Sequence, residues 1–513
     1  MKVTRKGSFA FVEEITPLEI SLLIQTLRWE DWDKEEITDS EGNVYTESVI
    51  KTFSLIFKCE NTNKLYFYYN FCHILPKVST LKIEILNEPT FEMPNYKLDK
   101  SILDGIELYD EQFEALKRLL YFREGICKIA TSGGKSEIQL ALLKHRLLDK
   151  EYPLKSAIVL VPSIYLAEDF YERAINYGFS PSDIGMIGGE KYQIAKRIKI
   201  IVMKSALNML KSPPRVKTLR DADTLLVDEA HTLKSEEHRR IFLLNNGRYK
   251  LAFTATPFQN YENPISDYRD SVMMGLCGKV LVNITSSDLI ALNRVAKPIV
   301  FMKPTGAKKL PSNVKMDPLI AKLKFISHNK KRNNLIIEIS KKVLKIGFNL
   351  FITANTKQQA EYLLTGIGSH KAIAKYGGVE ATRLVRGEVK KFKIHYEEWR
   401  HNFESGEYDL LIGTPSLFQG MNLPAIGFMI VGSGALSNRM VRQKKGRSVR
   451  KKQVGPNQVY LVDFIDTSTE SLLRHSHERI KYYYEDHSDF KQEEEFWEIV
   501  ENHAKQLGLK PRL

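Results

Sequence analysis

Cysteine is scarce, with only four in 513 residues. Cys59, Cys72, Cys127 and Cys277 show neither a CxxC pair nor the Cys/His spacing of a zinc site, which argues against a disulfide framework and a structural metal. The thiols are expected to be reduced and buried. No apolar run approaches the roughly 20 residues a membrane-spanning helix needs. Near the start, Lys2, Arg5 and Lys6 are followed by Glu13 and Glu14, which interrupt the hydrophobic stretch a signal peptide requires. The expectation is a cytoplasmic chain without membrane contact. Short-period repeats are also missing, which argues against a solenoid.

What is present fits a large folded protein. Hydrophobic residues make up 43% and charged residues 27%, near globular averages, and the length calls for three or four structural units. Net charge is +14, unevenly spread. Residues 1–100 hold 12 Lys and Arg against 16 Asp and Glu, whereas residues 321–460 hold 25 against 9. So concentrated a basic excess suits a phosphate backbone, although a merely solvated surface would read the same way.

Residues 1–105 read as a β-rich unit, with runs such as Thr52–Phe57 and Leu65–Tyr69 broken by turn residues. From 106 to 300, short apolar strands alternate with helical periods, the pattern of a parallel sheet. Pro298, Pro304 and Pro311 mark residues 297–317 as a connection, and a linker is placed at 301–330. A second α/β series covers 331–470, and a charged helical tail covers 471–513.

Two motifs carry chemistry. The first is the strand, turn and helix around Thr131-Ser-Gly-Gly-Lys-Ser136. Backbone N–H groups at a glycine-bearing helix start can wrap phosphate oxygens, Lys135 supplies a charge, and Ser136 a hydroxyl ligand for Mg²⁺. A bare Gly-Lys-Ser/Thr arises by chance ~0.3 times in a chain this long, so alone it says little. Ile129 and Ser132 also stand where the usual pattern has glycines. The second motif is Asp228-Glu-Ala-His231, ending the apolar run Thr224–Val227. Asp228 can hold Mg²⁺ through water while Glu229 orients and deprotonates an attacking water.

The tetrapeptide Asp228–His231, followed by Leu251-Ala-Phe-Thr-Ala-Thr-Pro257, resembles motifs II and III of superfamily 2 helicases and translocases. That resemblance implies two tandem RecA-like parallel-sheet motor domains, ATP and Mg²⁺ as cofactors, and Lys135, Asp228 and Glu229 in catalysis. His231, Thr254 and Thr256 would couple nucleotide state to the nucleic-acid track. Leu108–Ala115 is similar to an adenine-reading motif in which Gln112 faces the base. Pro162 and Ser163, Gly188 and Gly189, and Ser205 fall where the family contacts nucleic acid.

The second series continues the resemblance. Asp409–Pro424 is similar to motif V, with Thr414 on the track and Gly420 and Asn422 near the nucleotide; the family more often has Asp than Asn422. Gln443-Lys-Lys-Gly-Arg-Ser-Val-Arg450 is similar to motif VI, in which Gln443 approaches the nucleotide. Its Arg447 and Arg450 would supply positive charge to the departing phosphate when the cleft closes.

The arrangement looks most like phage branch-migration helicases of the UvsW type, relatives of RecG. This implies branched or forked DNA as partner, a role in replication and recombination, and the host cytoplasm if phage-encoded; a monomer is favoured. An RNA helicase and an ATP-switched binding scaffold stay open as alternatives. In residues 1–105, Trp29, Trp32 and Tyr66–Tyr69 could stack on bases, although filling a β core is the commoner role.

Overall fold

The computed structural model describes the chain except residues 39–43, 63, 87–97, 260–262, 312–315, 377–379, 395, 415–426, 435–457, 486–487 and 513. It divides into two compact units, Met1–Lys128 with Ser136–Asn283, and Ile129–Lys135 with Ile284–Leu513.

The first unit is built on an eight-stranded sheet. Its order is Lys191–Tyr192, Ile184–Gly188, Ile198–Val202, Ala157–Val161, Thr224–Val227, Tyr249–Thr254, Glu124–Ile129 and Val280–Ile284. The six strands from Ile184–Gly188 to Glu124–Ile129 run parallel. Ala157–Val161, Ile198–Val202, Thr224–Val227 and Tyr249–Thr254 are buried at every position. Strands covered on both faces lose the in–out alternation and read as continuous apolar runs, as these do.

Residues before Asp99 contribute a five-stranded sheet and a long hairpin, Arg28–Thr38 paired antiparallel with Val44–Ser54. Their core extends into the parallel domain, because Val272 is buried among Val3, Leu23, Phe67 and Phe71. Gly275, on the helix Tyr268–Cys277, explains how close the approach is. A Cβ there would lie 2.4 Å from a ring carbon of Phe71. Trp29 Nε1 donates to the Ile265 carbonyl at 3.0 Å, and Phe53 stacks on Tyr268 with ring centres 4.8 Å apart. Tyr68 and Tyr69 are buried. Trp29, Tyr68 and Tyr69 thus serve packing rather than an open stacking surface.

Lys250 sits on this seam, 5% exposed, donating to Ser8 Oγ at 2.7 Å. Burial pushes its ammonium pKa down to about 8, opposed by the Glu124 carboxylate. The unfolded chain binds this proton more tightly than the folded one, so stability rises as pH increases from about 8 toward 10.5 and the penalty is complete below 8. The buried thiols of Cys127 and Cys277, pushed upward, act in the opposite direction. The difference between proteins therefore isolates the lysine. Between pH 7.5 and 9.5 that gain amounts to about 2 kcal/mol, and Lys250→Met is expected to lose it. Parallel denaturant titrations of both proteins at pH 7.5 and 9.5 measure it, and an identical pH response would refute it.

The second unit carries a nine-stranded sheet. Its order is Glu388–Lys393, Glu380–Val385, Ala372–Lys375, Leu410–Gly413, Leu350–Thr353, Phe428–Ile430, Gln458–Ile465, Lys297–Pro304 and Asp489–Phe490. The proline-bearing passage expected to be a connection thus begins as an interior strand, paired in parallel with Gln458–Ile465. Its prolines sit at the second and last positions, leaving Ile299, Val300 and Phe301 buried in the middle. The helix Lys330–Ile346 is capped by Asn329 and stopped by Gly347 in left-handed conformation, as helix ends favour.

The C-terminal helices belong to this core. Glu493–Gln506 places Phe496, Trp497, Val500 and Ala504 among Phe428, Tyr460 and Phe464. Glu470–Glu485 delivers Arg479, 1% exposed, to Asp463 at 2.8 Å. Beside that pair, Arg332 meets Asp466 at 2.8 Å and donates to the Gly432 carbonyl at 2.6 Å.

Candidate nucleotide site and nucleic-acid track

The candidate residues of the first parallel sheet share one address. Pro162 and Ser163 follow Ala157–Val161, Asp228 follows Thr224–Val227, Thr256 follows Thr254 at the end of its strand, and Gly188 ends Ile184–Gly188. Because these strands are parallel, all leave the sheet at its carboxyl edge, where open α/β sheets bind ligands. Ser205 lies in the helix Met203–Met209, which starts directly after Val202.

Asp228 is 9% exposed, and Gln139 Nε2 lies 3.4 Å from its Oδ1. Glu229 adopts φ +48°, ψ +47°, a left-handed conformation unusual for a residue with a side chain. His231 Nδ1 stands 3.2 Å from Glu229 Oε2 and 3.2 Å from Thr254 Oγ1. Thr254 Oγ1 in turn accepts from the Thr256 backbone N–H at 3.2 Å. His231 thus stands between the Glu229 carboxylate and Thr254, and its hydrogen-bonding distance to Thr254 Oγ1 ties it to the turn after Tyr249–Thr254. Backbone angles of this kind cluster at functional sites, and the Glu229 carboxylate lies beside the His231 ring.

The glycine-bearing loop follows Glu124–Ile129 and opens the helix Lys135–Leu148. Gly133 N–H donates to the Ala130 carbonyl at 3.0 Å, and a Cβ on Gly133 would lie 2.8 Å from Ile129. Gly134 has φ +83° and Ser132 φ +69°. The left-handed angle at Ser132 gives the physical reason why glycine is usual at that position: a side chain there costs about 1–2 kcal/mol. The loop adopts its turn with serine all the same. Thr131, Gly134, Lys135 and Ser136 are all partly exposed. Hydroxyl and carboxylate oxygens of the Ser136 and Asp228 kind are the hard donors that Mg²⁺ prefers, and turned backbone N–H groups suit phosphate, so the residues fit both groups chemically.

The remaining expectations divide. Gln112 is 7% exposed, and its Oε1 accepts from the Tyr109 N–H at 3.1 Å, so it caps its own helix. Ser163 caps the helix Ile164–Asn176, and Gly189 turns left-handed at φ +60°. Thr414 is 8% exposed directly after the Leu410–Gly413 strand of the second sheet. Gly420, Asn422, Gln443, Arg447 and Arg450 lie outside the described residues. Gln139 was not among the expected site residues. Its only sequence signal is a polar side chain on the apolar face of the helix Lys135–Leu148, where it is fully buried.

The chain thus carries two α/β units built on largely parallel sheets, with an acidic pair at the carboxyl edge of the first sheet and a glycine-turned loop after its strand Glu124–Ile129. Residues 105–259 match the family described as type III restriction enzyme, res subunit. Among curated proteins, the chain is 26% identical over 398 residues to the DNA 3'-5' translocase XPB2 of Sulfurisphaera tokodaii, covering 72% of this chain and 83% of that one. It is 23% identical to the "Probable ATP-dependent helicase" of Methanocaldococcus jannaschii, over 88% of this chain but only 53% of the relative.

Solved structures share the fold at low identity. The DUF1998 helicase MrfA bound to DNA matches with TM-score 0.53 and 16% identity, over 76% of this chain and 55% of that one. Dbp5 of S. cerevisiae bound to RNA and ADP BeF3 matches with TM-score 0.52 and 16% identity, over 78% and 93%. T4 UvsW aligns over 96% and 98% at 16% identity, but its TM-score of 0.41 lends no support to the phage-type assignment.

Proposed function

We propose that the chain is an ATP-driven translocase on DNA that remodels branched substrates. The observation that carries the motor assignment is the polar chain from Glu229 through His231 to Thr254 at the carboxyl edge of a parallel sheet. In this reading the loop N–H groups and Lys135 hold the nucleotide phosphates, and Glu229 orients the attacking water and takes its proton. His231 and Thr254 pass the altered state of that carboxylate to the turn at Thr256. Bound Mg²⁺, held by Ser136 and through water by Asp228, would supply charge neutralisation at the transferring phosphate. By the motif resemblance alone, Arg447 and Arg450 would supply positive charge to the departing phosphate.

DNA is preferred over RNA because the relative with the greater identity is named as a DNA translocase. Branched DNA is a narrower step, resting on the motif resemblance and the basic second α/β series. Product formation from forked DNA, a Holliday junction, linear duplex DNA and duplex RNA, each with and without ATP, separates these readings. The expected result is ATP-dependent conversion of the two branched DNAs well above linear duplex, and none of RNA. Preferential unwinding of RNA would replace the DNA reading. ATP-dependent binding without conversion of any substrate would leave a nucleotide-switched scaffold.

A further inference from the structure

At the seam between the N-terminal sheet and the first parallel domain lies a cavity of about 850 Å³. Arg5, His73 and Lys77 enter it from the N-terminal side, and Arg123, Arg248 and Lys279 from the parallel domain. Glu124 is the one carboxylate in its lining, and Arg5 pairs with it at 2.7 Å. The lining therefore keeps a marked positive excess, although residues 1–100 as a whole are acidic.

Aromatic rings are interleaved with these charges. Tyr121 and Phe122, at the end of the helix Asp110–Phe122, are 40% and 36% exposed, edge to face with ring centres 4.6 Å apart. The Lys279 ammonium lies 4.1 Å over the Phe122 ring, and the Arg5 guanidinium 3.9 Å over Tyr69. Rings set among cations form the combination that single strands use, with bases stacking on the rings and phosphates meeting the charges. A duplex keeps its base faces inside the stack and cannot engage the rings this way.

The position separates this cleft from the motor site. Glu124 begins its strand directly after Arg123, and Arg248 immediately precedes Tyr249–Thr254, so the cleft opens at the amino edge of the sheet. Asp228 and Thr254 stand at the carboxyl edge, one strand length or about 20 Å away.

We infer that this cleft is a second nucleic-acid site, holding an unpaired DNA strand such as one arm of a fork. The inference rests on the nucleic-acid reading of the motor and adds a place for the strand the motor does not track. A cleft formed jointly by the N-terminal sheet and the parallel domain would register a branch, because one strand runs at each edge of the same sheet.

Two variants of the full chain test it, Tyr121→Ala with Phe122→Ala, and Lys77→Glu with Lys279→Glu. Fluorescence anisotropy on a labelled fork with single-stranded arms gives affinity and its salt dependence, and linear single-stranded DNA gives ATPase stimulation. The expected result is roughly tenfold weaker fork binding in both variants and a shallower salt dependence in the charge-reversed one. Stimulation by linear DNA should stay within about twofold of the unaltered protein, because the motor track is untouched. Unchanged fork affinity in both variants, with stimulation intact, would overturn the cleft assignment and leave the motor reading standing. Failure of the unaltered chain to bind or respond to any DNA would overturn both.

Discussion

Lys135→Ala and Glu229→Gln are each expected to lower nucleic-acid-stimulated ATP hydrolysis by roughly a hundredfold or more, the cost of removing one preorganised charge or proton acceptor from a transition state. Their mechanisms differ, and so should their binding. Lys135 opens the helix after the glycine-bearing loop and would meet phosphate in the ground state, so its loss should weaken nucleotide binding as well. Glu229 is held in its left-handed turn beside His231 and would act on water. Glu229→Gln should therefore bind nucleotide nearly as tightly as the unaltered chain while failing to turn it over. Steady-state hydrolysis measured beside fluorescent-nucleotide titration distinguishes them. Near-normal hydrolysis by either variant would remove that residue from the proposed chemistry.

The second large effect concerns stability. Asp463, 0% exposed at its side chain, accepts from Arg479 Nε at 2.8 Å, from Tyr483 OH at 2.9 Å and from the Phe464 N–H at 2.7 Å. Asp463→Ala would leave the Arg479 guanidinium, 1% exposed, without its closest countercharge. Removing one member of a buried pair costs about 3–5 kcal/mol, far more than breaking an exposed pair. The second unit should melt roughly 10 °C earlier in a thermal scan, with the first unit's transition unmoved. Asp463→Leu combined with Arg479→Met should recover much of the loss, because it buries no charge. A single alanine variant melting within a degree of the parent would show that water reaches this pair.

Both parallel sheets were legible because strands buried on two faces are unbroken apolar runs, such as Ala-Ile-Val-Leu-Val at 157–161. Parallel pairing then brought Ser163, Asp228 and Thr256 to one edge without any need to know their contacts. The loop was legible at Gly134 and Lys135 but not in the reason it tolerates Ser132, which lies in a backbone angle that residue type does not reveal. The strand Lys297–Pro304 was obscured by prolines whose harmless placement depends on which neighbours pair with it.

Charged and aromatic residues were harder. Nothing local marks Arg332, Arg479 and Lys250 as buried, because their burial depends on tertiary partners, as with Lys250 and Ser8 separated by 242 residues. Likewise, base stacking by Trp29 stood beside the commoner core role, and its indole N–H meets the carbonyl of Ile265. Tyr121 and Phe122 escaped notice because nothing local distinguishes an exposed ring pair from one buried at a helix end. The second-unit candidates from Gly420 to Arg450 rest on motif spacing alone.

The most direct measurement of the central claim is the rate of ATP hydrolysis by the full chain with and without added DNA, run beside His231→Ala. A motor coupled through the Glu229–His231–Thr254 chain predicts strong stimulation by DNA in the parent, and a variant that still hydrolyses ATP slowly but responds far less to DNA. Equal stimulation in parent and variant would contradict the coupling, and a parent rate indifferent to both DNA and RNA would contradict the motor itself.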